Sequence, residues 1–326
     1  MWGRLAAVFS LFVLSPLIAE YLLGSLPMSM IAILPVMMLM YGSGAVIIRE
    51  LVRQSGRGWP SLILLATAYG LIEEGLVDQS LFNPNYLHLR LLDYGFIPAL
   101  GTSLVWGIYV IALHMFWSIS VPIGLTEALF RKKRDTPWLG KIGIGVFIVL
   151  FLAGSALVAA FTYKTLPFMA SPAQLGVTAA LVLALIVAAF LWPKRPDATA
   201  GKAPHPAVLF AVPLALGSAF MSVEFAARSL SRLPWILPAA ALAGCEILML
   251  VFMAVFTRGR MWSDGQRFAL MAGSLGVYVW LGFRTDATLH GASDLPAHAA
   301  LAVAFVLLLV FAGFRNLGDK AVTSLP

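Results

Sequence analysis

Cysteine is almost missing from this sequence: Cys245 is the only one. A lone cysteine closes no intramolecular disulfide, and no Cys-x-x-Cys motif exists. Charge is scarce as well. Asp, Glu, Lys and Arg together make up 11% of the 326 residues, where a soluble domain carries about 25%. There is no phosphate-cradling glycine loop and no dinucleotide fingerprint. The formal net charge of +7 is not a nucleic-acid signal, because the basic residues are spread over short segments between apolar runs. No segment between those runs is long enough to hold a soluble domain.

What the sequence has in excess is hydrocarbon. Its residues are 60% hydrophobic and its mean hydropathy is +0.90, so the bilayer is the expected environment. Runs of about 20 apolar residues cross a membrane. Ten are present, over residues 5–26, 29–52, 60–82, 101–129, 139–162, 173–192, 207–227, 234–256, 267–284 and 297–314. The first follows Met1-Trp2-Gly3-Arg4 and is read as a retained span, not a cleaved leader. Lys and Arg then orient the chain, because cytoplasmic loops hold the excess of them. With the N-terminus inside, 17 of the 22 fall in cytoplasmic segments. The expected fold is all-α: a polytopic bundle of about ten transmembrane helices, N-in and C-in, integral to a plasma or inner membrane.

The chain reads as one integral membrane domain, 1–326, with possible halves 1–193 and 207–326. The linker from Pro193 to Pro206 is rich in Pro, Ala and charge and reads as a flexible connector. Spans 2–3 and 7–8 share an order of residues: Gly42-Ser43, Glu50, Pro60 and Glu73 against Gly217-Ser218, Glu224, Pro234 and Glu246. Five spans per half would make such a repeat inverted, an architecture common among transporters.

Against this background, Glu73-Glu74 and Asp78 stand out. Charged side chains in hydrocarbon are costly and mark a pathway or a site. Glu73 lies about thirteen residues into its span, near mid-depth at about 1.5 Å per residue. On an α-helix, Thr67, Gly70, Glu74 and Asp78 form one stripe, while Glu73 turns about 100° away. His114 lies at similar depth on the next, antiparallel span, so contact with a glutamate is expected. Ser118 lies one turn from it. Gln79 and Asn83 are candidate polar rungs toward the outer end, where Asn83-Pro84-Asn85-Tyr86 reads as a helix stop or a gate. Glu246 is the second-half candidate for the same site. Glu20 and Glu127 read as solvated ends or ion pairs.

Two carboxylates and an imidazole suit a general base that activates water, a proton or cation pathway, or a hydrogen-bonded cluster that fixes helix register. No metal is expected, because one membrane histidine makes a poor ligand set, and the residues name no cofactor. Glu73-Glu74 followed by His114 resembles the CPBP family, the CAAX-protease and bacteriocin-processing intramembrane proteases. That family carries Glu-Glu-x-x-x-Arg, then histidines on later helices. The resemblance implies a hydrolase with Glu73 as base and His114 as its partner or a metal ligand. Here Asp78 stands at the family's Arg position, and no second intramembrane histidine exists. Three functional classes therefore stand side by side: a CPBP-like hydrolase acting on glutamate-activated water, a secondary transporter of inverted five-helix repeats, and a non-catalytic scaffold. The substrate, membrane-embedded or small, is unspecified.

Overall fold

The computed structural model describes residues 2–194, 204–229, 233–257 and 262–317. Residues 195–203, the middle of the expected connector, lie outside them. Ten long helices make up the described chain: α1 (Trp2–Leu22), α2 (Met28–Gln54), α3 (Trp59–Val77), α4 (Leu104–Leu129), α5 (Lys141–Thr165), α6 (Pro172–Leu191), α7 (Pro206–Ser229), α8 (Ile236–Thr257), α9 (Asp264–His290) and α10 (Leu295–Leu317). Among the described residues, sheet is confined to one short hairpin before α4, with Phe96 opposite Ser103 and Ile97 opposite Thr102. The chain is an all-α polytopic membrane bundle, as its composition implies.

Nine of the ten described helices are long and apolar enough to cross a membrane. The exception, α9, is less apolar because it faces protein more than lipid. Its Gly273 lets it close on α7: a Cβ there would sit 2.1 Å from the Phe210 carbonyl oxygen. Close approach of this kind is how membrane helices gain packing energy without a hydrophobic driving force. The segment 285–290, expected as part of an outer loop, continues this helix to His290.

The helices divide by what surrounds them. In α4 the most apolar stretch is 72% buried within the bundle, in α5 only 11%. So α4 is the central helix, packed on α1, α2, α3, α8, α9 and α10, whereas α5 and α6 turn most of their Leu, Val and Phe side chains outward. α6 packs along α3. The helix ends expected in the cytoplasm do meet at one end of the bundle. There Arg131 donates to the Arg315 carbonyl at 2.7 Å, Arg134 pairs with Asp264, and Arg57 donates to the Phe190 and Trp192 carbonyls.

The four helices α1–α4 each contain one π segment: Leu17–Leu22, Met38–Gly42, Ile72–Val77 and Leu113–Ser120. The wider turn is closed by i→i+5 bonds, as from the Asp78 amide to the Glu73 carbonyl at 2.9 Å. Proline accompanies this irregularity. Pro122 has no N–H for the Ser118 carbonyl four residues earlier, and Ser15 Oγ on α1 donates to that carbonyl instead, at 2.7 Å. A neighbouring helix re-satisfies the freed acceptor, as the membrane interior requires.

Candidate functional site

The π segments matter because of what they carry: Glu20 on α1, Tyr41 on α2, Glu73 and Glu74 on α3, and His114 on α4. These side chains form one cluster inside the bundle. His114 Nε2 lies 2.6 Å from Glu74 Oε1, and Nδ1 lies 3.2 Å from Glu73 Oε2. All three residues are 4–6% exposed. On a regular α-helix the two glutamates would point to different interfaces. The π turn reorients them, and both carboxylates reach the same imidazole from opposite ring nitrogens. The expected separation of Glu73 from Glu74 is therefore corrected by the local helix geometry.

The two glutamates differ in how their oxygens are used. Glu74 accepts from His114 through one oxygen and from Ser80 Oγ through the other. Ser80 Oγ in turn accepts from Trp106 Nε1 at 3.2 Å. Glu73 Oε2 and His114 Nδ1 face each other but make no hydrogen bond to any group. Buried polar atoms without partners are rare, and each calls for an explanation. Tyr41 and Tyr69 wall the imidazole, with ring centroids 6.0 and 6.1 Å from it. Tyr41 donates to Glu20, whose other oxygen accepts from Ser25 at 2.5 Å. Gly70 lets α4 approach α3, since a Cβ there would stand 3.0 Å from His114 Cβ.

The remaining candidates separate into neighbours and bystanders. Asp78 caps the cluster toward the loop after α3, accepting from the Ser80 amide at 3.1 Å and from Tyr86 Oη at 2.8 Å. Burial first, then the Asp78 carboxylate, push the Tyr86 hydroxyl well above its ordinary pKa, so it stays a donor. Gln79, at φ 61°, accepts from the Ala170 amide at 2.7 Å and ties the α5–α6 turn to the end of α3. Asn83 accepts from the Asn85 amide at 3.0 Å, closing an Asx turn. Both side chains are engaged with the backbone of loops at this end of the bundle. Thr67 bonds back to the Ile63 carbonyl at 2.9 Å and is not in the cluster. Ser118 Oγ turns to the Leu113 carbonyl of its own helix. Glu246 is half-buried on α8 and is not among the groups that converge on His114.

Glu20, Tyr41, Tyr69 and Ser80 complete the surroundings of the site, and sequence reasoning passed over them. Glu20 read as a helix-end residue. Its signal is the spacing that puts a carboxylate and a tyrosine in consecutive antiparallel spans at matching depth. Among the described residues, Glu73, Glu74 and His114 are the one group of three His, Cys, Asp or Glu whose ligand atoms lie within 4.8 Å of one another. Chemically the cluster offers a locked imidazole, an unused carboxylate oxygen beside it, and no compensating Lys or Arg among its described ion pairs.

No CPBP match is found, so the resemblance carried by Glu73, Glu74 and His114 is unsupported. Neither a curated protein nor a solved structure matches the chain. Residues 9–323 match the model of an Uncharacterized membrane protein family, and the chain belongs to that family.

Proposed function

We propose that the protein is a membrane-embedded hydrolase in which the Glu73–His114 pair activates a water molecule and Glu74 holds the imidazole in place. One observation carries this reading: both Glu74 oxygens are bonded, whereas Glu73 Oε2 and His114 Nδ1 are buried, 3.2 Å apart and unbonded. An ionised Glu74 only accepts, so Nε2 carries the proton and Nδ1 presents a lone pair. A water set against the pair donates to both, and Glu73 takes its proton as general base. The π turns on all four surrounding helices support the reading, since such distortions concentrate at functional sites.

The test is hydrolysis of fluorogenic esters and amides held in transmembrane peptides, using purified protein reconstituted in vesicles. Glu73→Gln lowers the rate by about 10²–10⁴-fold, the usual weight of a general base. Wild-type rates from Glu73→Gln rule this role out. Proton-coupled solute uptake in the same vesicles, lost in the same variant and without hydrolysis, would instead place the protein among transporters.

A further inference from the structure

Two acceptors facing each other at 3.2 Å repel unless something positive lies between or against them. The imbalance extends beyond the pair. Glu20, Glu73, Glu74 and Asp78 surround a single imidazole, and none of the ion pairs of the described residues brings a Lys or Arg to them. Uncompensated charge in a low-dielectric interior is among the costliest arrangements a protein can hold. Carboxyls there are neutralised by a proton, paired or bound to a cation, and the described ion pairs bring no Lys or Arg to this cluster.

We propose that the Glu73–His114 slot binds a divalent transition cation of the zinc class, with Glu73 Oε2 and His114 Nδ1 as ligands and Glu74 as the positioning residue. The geometry fits in three respects. Ligand atoms each about 2.1 Å from a tetrahedral centre stand roughly 3.2–3.4 Å apart, which is the separation found. A metal-bound histidine donates its other N–H to a carboxylate, which fixes the tautomer and ring orientation, and the 2.6 Å bond from Nε2 to Glu74 does this. The donor set of one nitrogen and carboxylate oxygen suits a borderline cation, whereas magnesium and calcium demand six or more oxygens. Two protein ligands leave positions for water. Counting histidines argued against a metal; the use of each nitrogen argues for one. The cation takes the lone pairs of Glu73 Oε2 and His114 Nδ1 that the hydrolase reading gives to water, so metal and water are alternative occupants of the slot and the proposal is one about binding alone.

The experiment is zinc titration of the full chain in detergent after stripping with EDTA, read by elemental analysis and a competing chromophoric chelator. Wild type binds one zinc per chain. Glu73→Gln and His114→Ala bind at least about 100-fold more weakly, and Glu74→Gln about 10–100-fold more weakly. Glu246→Gln binds as wild type. Should either ligand variant fail to fold, X-ray absorption at the zinc edge of wild type decides: one imidazole with oxygen neighbours supports the site, and a sulfur shell or no imidazole overturns it. No stoichiometric zinc, or binding that survives both ligand substitutions, also overturns it. Hydrolysis in stripped protein that added zinc suppresses supports both the hydrolase and the site, and hydrolysis that one bound zinc per chain leaves unchanged overturns the site. Zinc bound at this site with no hydrolysis of any substrate keeps the site and removes the hydrolase.

Discussion

Two of the groups of buried ionisable side chains among the described residues are built on opposite terms. At the basic end, Arg49 and Arg53 on α2 meet Glu50 and Glu127 in equal numbers. Arg49 contacts Glu50 at 2.5 Å and Glu127 at 3.1 Å. Arg53 forks onto both oxygens of Glu127 at 2.8 and 2.6 Å. Glu50 also accepts the Trp138 and Leu139 amides at 2.9 Å each. Arg49 donates to the Arg134 carbonyl at 2.6 Å and lies 3.5 Å over the Trp138 ring. The charges balance and the bonds pin the α4–α5 turn to α2, so this group is a clamp. The Glu73–Glu74–His114 group sets two carboxyls against one imidazole with no Lys or Arg among its described ion pairs, and leaves an unbonded nitrogen and an unbonded oxygen. Burial alone does not distinguish a site from a clamp; the count of charges and of unused valences does.

The contrast breaks first, and with the largest effect, on the clamp. Removing one partner of a buried ion pair leaves the other charge uncompensated and costs about 3–5 kcal/mol. Arg49→Met is expected to lower stability by that amount, measured by denaturant unfolding in micelles. Glu73→Gln is expected to change it by less than about 1 kcal/mol, because Oε2 accepts no hydrogen bond there and the amide keeps the shape. Equal losses in the two variants would erase the distinction between the groups. Next in size is Glu74→Gln. The amide cannot accept at both ends, so the bond from His114 or from Ser80 is lost, at about 1.5–3 kcal/mol for a bond to a charged group. Gly70→Leu follows, at about 1–3 kcal/mol for overpacking. Its Cβ already meets His114 Cβ, so the imidazole moves off Glu74. A ¹⁵N-histidine NMR signal of His114 displaced in Gly70→Leu and undisturbed in Arg53→Lys would confirm that the clamp and the site are independent.

The spans were legible in the sequence because hydrocarbon thickness sets their length, and the convergence of Glu73, Glu74 and His114 was legible because consecutive antiparallel helices put equal depths side by side. What lay hidden depends on deviations from ideal helices. Hydropathy carries no signature of a π turn, so an α-helical wheel sends Glu73 and Glu74 to different faces and aligns Thr67 with Glu74. Gln79 and Asn83, read as polar rungs on a continued helix, lie past its end at Val77, and their side-chain amides fasten loops there. Glu20 and Tyr41 needed a contact between two helices that hydropathy treats as interchangeable. Glu246 shows the converse: a lone carboxylate in an apolar run looks buried, yet on α8, near the periphery, it stays half-buried and apart from the cluster.

The smallest expected effect bears on the most specific point, that Glu74 is held from two sides. Ser80 Oγ donates to Glu74 and accepts from Trp106. Ser80→Ala removes both bonds while leaving His114 on Glu74, so the cost in stability is about 1 kcal/mol. If Glu74 acts only by positioning the imidazole, the freed oxygen loosens it slightly, and zinc affinity falls by less than about 10-fold, below the loss in Glu74→Gln. A Ser80→Ala variant as impaired as Glu74→Gln would move the orienting role from the His114 bond to the Ser80–Trp106 chain. A variant with unchanged affinity would mean that the 2.6 Å bond suffices alone, and the Glu74 oxygen facing Ser80 would then serve the loop, as Glu50 does in the clamp.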